Sequence, residues 1–126
     1  MRTYIENLGN MFGAWNTTDE KEQARLAEAA LEHNVHFVDP NHNIVGRGAF
    51  LEMVRATQTK FPGLRYGPSC EPQIQNNFCR YHWAIHSGEK QVMTGFDVTE
   101  VTDAGKIMKV IGFFGELERN MSAPVS

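Results

Sequence analysis

The chain has 126 residues, with 12 Lys or Arg against 15 Asp or Glu and a formal net charge of -3. That is the length of one domain with room for a core, and the lack of any basic stripe excludes nucleic acid as the expected partner. No apolar run is long enough to span a bilayer, and the amino terminus lacks the basic start and small-residue cleavage site of a signal peptide. Cys70 and Cys79 are too few for a disulfide scaffold and stand in no CxxC or His pairing, so they read as thiols of a reducing, cytoplasmic protein. A single domain over residues 1–119 is expected, followed by a disordered tail, NMSAPVS, from Asn120.

Tyr4, Ile5, Leu8, Met11, Phe12 and Trp15 recur three or four residues apart, which predicts an amphipathic helix over 3–15. Thr18 or Asp19 then caps a second helix with acidic residues in its first turn. It runs through ARLAEAALEH on a stripe of Leu26, Ala27, Ala30 and Leu31. The strand VHFVD follows, and by period-two alternation Val35, Phe37 and Asp39 share one side. A carboxylate thus points where two apolar side chains point. After the polar loop PNHNIVGRG, Phe50, Met53 and Val54 mark a third helix over 48–60, ended by FPG. LRYGPSCEPQIQ reads as an irregular edge strand. FCRYHWAIH, QVMTGFDVTEV and KIMKVIGFFGEL read as three long strands joined by tight turns at SGEK and TDAGK. Helices first and an antiparallel sheet last is an α+β pattern, the helices covering one face.

Turn geometry then sets an expected register. With Gly88-Glu89 central in the first turn, Ser87 faces Lys90, His86 faces Gln91, His82 faces Gly95 and Arg80 faces Asp97. With Ala104-Gly105 central in the second, Asp97 faces Gly112 and Gly95 faces Phe114. One face gathers Arg80, His82, His86, Met93, Asp97, Val110 and Phe114, with Gly95 and Gly112 leaving space. The other gathers Tyr81, Trp83, Ile85, Val92, Phe96, Val98, Ile111 and Phe113. A slip of one residue would exchange the faces within a strand. An aromatic face that large on a monomer invites aggregation, so a homodimer through it is expected.

AWNTTD, VHFVDP with VGRG, FPG, RYHW, GFDV and DAGKIMKVIGFF, in this order and spacing, resemble the nuclear transport factor 2-like superfamily, specifically its SnoaL-like branch. The resemblance covers about residues 3–117. It implies a cone of helices folded over a strongly curved antiparallel sheet that encloses a pocket. Ketosteroid isomerase belongs to that superfamily, and its general-base aspartate sits in a strand–Asp-Pro step that Asp39 matches. Its oxyanion-stabilising aspartic acid, a carboxylic acid kept neutral by an apolar site, is matched by Asp97. Where the isomerase has a first-helix tyrosine, this chain has Met11 or Phe12. In the SnoaL-like cyclases an aspartate and a histidine share proton transfer, which points to His82 with Asp97 or Asp39.

Each candidate has a structural alternative. Asp39 serves as general acid or base, or closes an Asx turn on the PNHN loop. Asp97 is a proton-transfer partner, or a carboxylate held ionised by Arg80. Trp15 lines the ligand site, or belongs to the core. His33, His36, Asp39 and His42 stand three apart, but they fall on a helix end, opposite strand faces and a loop, so no metal site is expected.

The reading is an enzyme using proton transfer on a small hydrophobic oxygenated molecule, of isomerase, cyclase or hydratase type, needing no cofactor. Asp39, His82, Asp97 and Arg80 are its catalytic candidates. Trp15, Phe37, Met93, Gly95, Val110, Gly112 and Phe114 are its ligand-binding candidates. The alternative is a non-catalytic module that binds a ligand or a partner protein with the same fold.

Overall fold

The computed structural model describes residues 2–117. The elements are α1 (Arg2–Asn16), α2 (Glu20–Ala30), β1 (Leu31–Asp39), β2 (His42–Val45), α3 (Arg47–Lys60), β3 (Leu64–Pro68), β4 (Gln73–Gln75), β5 (Phe78–Ser87), β6 (Lys90–Val101) and β7 (Ile107–Phe114). The tail expected to be disordered from Asn120 lies outside the described residues.

Asp19 caps α2 by accepting from the Lys21 amide. The helix ends three residues before the ALEH motif does. Leu31 is already extended and opens β1, where it pairs with Ile107. Tertiary pairing overrides local helix propensity at that junction. Of the expected loop PNHNIVGRG, the residues His42–Val45 form β2, an antiparallel hairpin with β1. Gly46 then turns with φ of 104°, a conformation that suits glycine, and its amide bonds the Val35 carbonyl as α3 begins.

The sheet runs in the order β2-β1-β7-β6-β5-β3, with β4 on β5. All pairings are antiparallel except β1 with β7, so the fully antiparallel sheet expected from the sequence is corrected at that one ladder. The parallel step follows from the long α3-to-β6 connection, which carries the chain away before β7 returns beside β1. LRYGPSCEPQIQ supplies two short strands, β3 and β4, each paired with a different stretch of β5.

The core lies between the helices and the inner face of the sheet. Tyr4, Leu8, Phe50 and Val54 meet Val35, Tyr81, Val101, Ile107 and Val110, all buried. Gln23, fully buried, ties the three helices together: its Nε2 donates to the carbonyls of Ala14 and Thr17 and to Gln58 Oε1, and its Oε1 accepts from Arg55. At the other end of α1, Asn7 donates to the Gly105 carbonyl in the β6–β7 turn, and Tyr4 pairs with Thr99. Such fully partnered polar groups fix how the helices sit on the sheet.

The β6–β7 register is the one expected, with Asp97 opposite Gly112 and Gly95 opposite Phe114. The β5–β6 register is expected only near its turn. Ser87 pairs with Lys90 and His86 with Gln91, but Ile85 pairs with Met93, leaving Val92 as an extra residue on β6. From that bulge onward the partners slip by one. Tyr81 faces Asp97, Trp83 faces Gly95, Arg80 faces Val98 and His82 faces Phe96. The expected face assignment of β5 is therefore reversed: Tyr81 and Trp83 turn inward, Arg80 and His82 outward.

Candidate functional site

The inner sheet face and the helices over it bound a cleft of about 1030 Å³. Its walls are mostly apolar, including Phe12, Trp15, Phe37, Phe61, Met93 and Phe114. Its polar groups include Asp39, His42, Lys60, Tyr66 and Asp97. A largely apolar hollow with a few converging polar groups is the ordinary form of a ligand site.

Asp97 lines this cleft and is 8 % exposed. Its Oδ2 accepts from the Tyr81 hydroxyl at 2.6 Å, and its Oδ1 from the Trp83 indole N–H at 2.9 Å. Gly95 makes the second bond possible. A Cβ there would lie 2.2 Å from both the Trp83 ring and the Phe113 carbonyl, so only glycine lets the indole lie across β6 to reach the carboxylate. Burial pushes the Asp97 carboxyl up to about 6, against the opposing pull of the Tyr81 and Trp83 hydrogen bonds; the nearby Asp39 charge adds to the rise. Desolvation wins because both donors are neutral and little water reaches the group.

Asp39 comes from the neighbouring part of the sheet, at the end of β1. A Cβ on Gly112 would sit 2.9 Å from Asp97 Oδ1 and 3.6 Å from Asp39 Cβ. The glycine is thus the gap through which two carboxylates face one cleft. Asp39 both closes a turn and lines the hollow. Its Oδ1 accepts from the Asn41 amide at 2.8 Å and pairs with His42 Nδ1 at 2.9 Å, while no hydrogen bond among the described residues engages Oδ2. The side chain is 11 % exposed. An ionised carboxylate only accepts, so in a neutral His42 ring the proton sits on Nδ1 and Nε2 is the basic nitrogen.

Of the expected ligand-lining residues, Trp15, Phe37, Met93, Gly112 and Phe114 border the cleft. Val110 is fully buried in the core, and Gly95 is covered by the Trp83 ring. Arg80 and His82, expected beside Asp97, are corrected by the bulge. Both are exposed on the outer sheet face, where they border a separate hollow of about 800 Å³. Arg80 donates to Gln73 Oε1, and the His82 ring stands edge-on to Phe96. No cluster of three metal-ligating side chains occurs among the described residues.

Tyr81, Trp83, His42 and Tyr66 are the residues that sequence reasoning did not place here. A tyrosine hydroxyl does reach Asp97, but β5 supplies it, and Phe12 of the first helix packs edge-on against its ring at 5.8 Å. The signal for His42 was present as Asp-x-x-His across a turn. For the β5 pair, only the bulge at Val92 would have disclosed it.

No family profile matches the sequence, and no curated protein sequence matches it. Solved structures do. A candidate isomerase of the SnoaL-like family from Agrobacterium tumefaciens str. C58 superposes with a TM-score of 0.82 at 29% identity, covering 92% of this chain and 100% of that one. An NTF2-like protein of unknown function from Exiguobacterium sp. 255-15 gives 0.71 at 19% identity, covering 88% and 99%. A candidate SnoaL-like polyketide cyclase from Jannaschia sp. CCS1 gives 0.71 at 10% identity, covering 90% and 85%. The fold is the NTF2-like α+β fold, and over nearly its whole length the chain is similar to SnoaL-like proteins.

Proposed function

We propose that this chain, NTF2-like in fold and similar to SnoaL-like proteins, is an enzyme that moves a proton on a small, hydrophobic, oxygenated molecule, in an isomerase, cyclase or hydratase reaction. The observation that carries the reading is the pair Asp39 and Asp97, set on either side of Gly112 and lining one apolar cleft. A carboxyl raised to about 6 is ionised at neutral pH yet basic enough to take a proton from carbon beside a carbonyl. Tyr81 and Trp83 hold it in one orientation, and the proton it takes can be returned to another carbon or to oxygen. Asp39, with one oxygen fixed and the other unengaged among the described residues, and His42 beside it, supply the second acid–base group. Arg80 and His82 have no part in this mechanism, because they stand on the far side of the sheet. The candidate isomerase and polyketide cyclase of the same fold support the reaction class.

The test is turnover of β,γ-unsaturated ketones and of epoxides by wild type and by Asp97→Asn and Asp39→Asn. In wild type, kcat/KM should rise with pH through an apparent value near 6, and Asp97→Asn should lose at least about a hundredfold. If no compound turns over, yet several bind equally to wild type and Asp97→Asn, the ligand-binding alternative replaces the enzyme. The engagement of both Asp97 oxygens by protein donors is the observation that favours that alternative.

Two further readings belong to the same proposal. With Tyr81 and Trp83 turned inward, the outer face keeps Phe78, Phe96 and Phe113, the last two stacked at 5.0 Å, and a second copy of the chain would cover them. Sedimentation should give a dimer that Phe113→Glu dissociates; a monomeric wild type would end that reading. Among the described residues no helix is long and apolar enough to cross a membrane. The unpaired thiols Cys70 and Cys79 accord with a cytoplasmic location.

A further inference from the structure

The mouth of the cleft is built from two neighbouring turns, and its apolar residues face water. Phe61 and Pro62, in the connection from α3 to β3, border the cleft together with Leu64, Ser87 and Val92. Leu64 pairs with Ser87 and Ser87 with Lys90, so this connection and the β5–β6 turn lie side by side. Phe61 is 52 % exposed, Val92 46 % and Phe114, which borders the same cleft, 38 %. Phe61 is held in place, since its amide donates to the Thr57 carbonyl at 2.8 Å as α3 ends. One exposed apolar side chain is ordinary, but three around the opening of an apolar hollow form a patch. Charge gathers at the same place. The turns KFPGLR and HSGEKQV carry three cations, Lys60, Arg65 and Lys90, against one anion, Glu89: a formal +2 on a chain of formal net charge -3. All four are exposed, whereas the carboxylates of Asp39 and Asp97 inside the cleft are largely covered. The Lys60 ammonium lies 5.4 Å from the centre of the Phe61 ring, so a cation and the most exposed of the three apolar side chains form one tip.

We infer that this rim docks the mouth of the cleft on an anionic lipid surface. The occupant follows from the chemistry of the rim. Side chains that are apolar and cationic together match acyl chains lying beneath negative phosphates: Phe61 and Val92 enter the chains, and Lys60, Arg65 and Lys90 meet the phosphates. A second copy of this chain, joined rim to rim about a two-fold axis, would bring the same net positive charge against itself. Docking of this kind needs no membrane-spanning helix. It also gives the exposed opening a use, because an apolar molecule can pass from the bilayer into the apolar cleft without entering water. The inference goes beyond the proton-transfer reading and does not rest on it, since it uses none of Asp39, Asp97, Tyr81 or Trp83.

The test is co-sedimentation with vesicles of equal parts phosphatidylcholine and phosphatidylglycerol, and with vesicles of phosphatidylcholine alone, at physiological ionic strength. Wild type should bind the anionic vesicles at least about tenfold more tightly, since each cation near such a surface is worth about fivefold. Phe61→Ser should weaken that binding about tenfold, through the loss of one apolar side chain from the interface, and Lys60→Gln about fivefold. Ile5→Ser should change nothing: it removes an apolar residue as exposed as Val92, but from α1 near the β6–β7 turn, at the other end of β6. Melting temperatures equal to that of wild type show that the variants are folded. A wild type that stays in the supernatant overturns the inference, as does equal binding to the two kinds of vesicle. So does wild-type binding by both Phe61→Ser and Lys60→Gln. A concentration-dependent mass in sedimentation velocity that Phe61→Ser abolishes would assign the rim to a second copy and overturn it too. Turnover is read separately, so that a defect in Asp97→Asn bears on the acid–base pair alone and loss of vesicle binding bears on docking alone.

Discussion

The two faces of the β5–β6 ladder are made of alternate residues of the same strands, yet their chemistry is opposite. Inward, Cys79, Tyr81 and Trp83 are buried against Gly95, Asp97 and Thr99. Outward, Phe78, Arg80 and His82 are exposed beside Phe96 and Val98. The charged and imidazole side chains that look most like catalysts stand on the outer face, where water screens them. The inner face holds one carboxylate and two aromatic donors, where burial magnifies every interaction. Burial decides which titratable group is perturbed, and the bulge at Val92 decides which residues are buried. Each prediction below strikes one face and spares the other.

Gly95→Ala should have the largest effect. The added methyl meets the Trp83 ring and the Phe113 carbonyl, and the carbonyl cannot swing away as a flexible side-chain tip would. A cost at or above about 3 kcal/mol is expected, the upper end for overpacking, read from the urea midpoint. Unchanged stability would mean that Trp83 does not lie across β6.

Asp97→Asn should act next, and with a sign that depends on pH. The folded carboxyl titrates about two units above its ordinary value of 3.8, so the folded state binds the proton more tightly. Its favourable contribution is complete below about pH 4 and is lost as pH rises through about 6. Removing the charge should therefore stabilise the protein by up to about 3 kcal/mol at pH 8 and by little at pH 4. The measurement is the pH dependence of the difference in unfolding free energy. A difference that grows toward low pH would refute the assignment.

Much of this was legible in the sequence. The helix stripes of Tyr4, Leu8 and Phe50 and the hairpin glycines fix the elements, because periodicity and turn chemistry are local. Asp39 was singled out because its strand neighbours are apolar at the right spacing, and Asp97 by the hairpin register and the resemblance to ketosteroid isomerase. Their partners were not, since a bulge is a single extra residue that leaves no compositional trace. Nothing in QVMTG marks Val92 as the residue to be left unpaired. The fit of Trp83 over Gly95 selects the bulged register, and that is a tertiary fact. The same holds for Tyr66, which borders the cleft only once Asn16 and Trp15 have been folded against it.

Tyr81→Phe should have a smaller effect than either. It removes a donor that favours the ionised carboxylate, so Asp97 should titrate above about 6, at a cost of about 2 kcal/mol at pH 8 and less at pH 4. Carbon-13 chemical shifts of the Asp97 carboxyl across pH 4–9 would read this directly. A fall instead of a rise would mean that the hydroxyl does not donate to the charged form.

The smallest effect separates the two registers. Arg80→Ala and His82→Ala should each leave stability within about 0.5 kcal/mol, as exposed substitutions do. Neither should move the Asp97 titration, because both residues point to the opposite side of the sheet. In a ladder without the bulge, Arg80 would face Asp97, and an arginine at a buried carboxylate holds its titration far below the ordinary range. Losing that arginine would then drive the Asp97 value upward by more than a unit. Invariance in Arg80→Ala, beside a rise in Tyr81→Phe, is the combination that only the slipped register can produce.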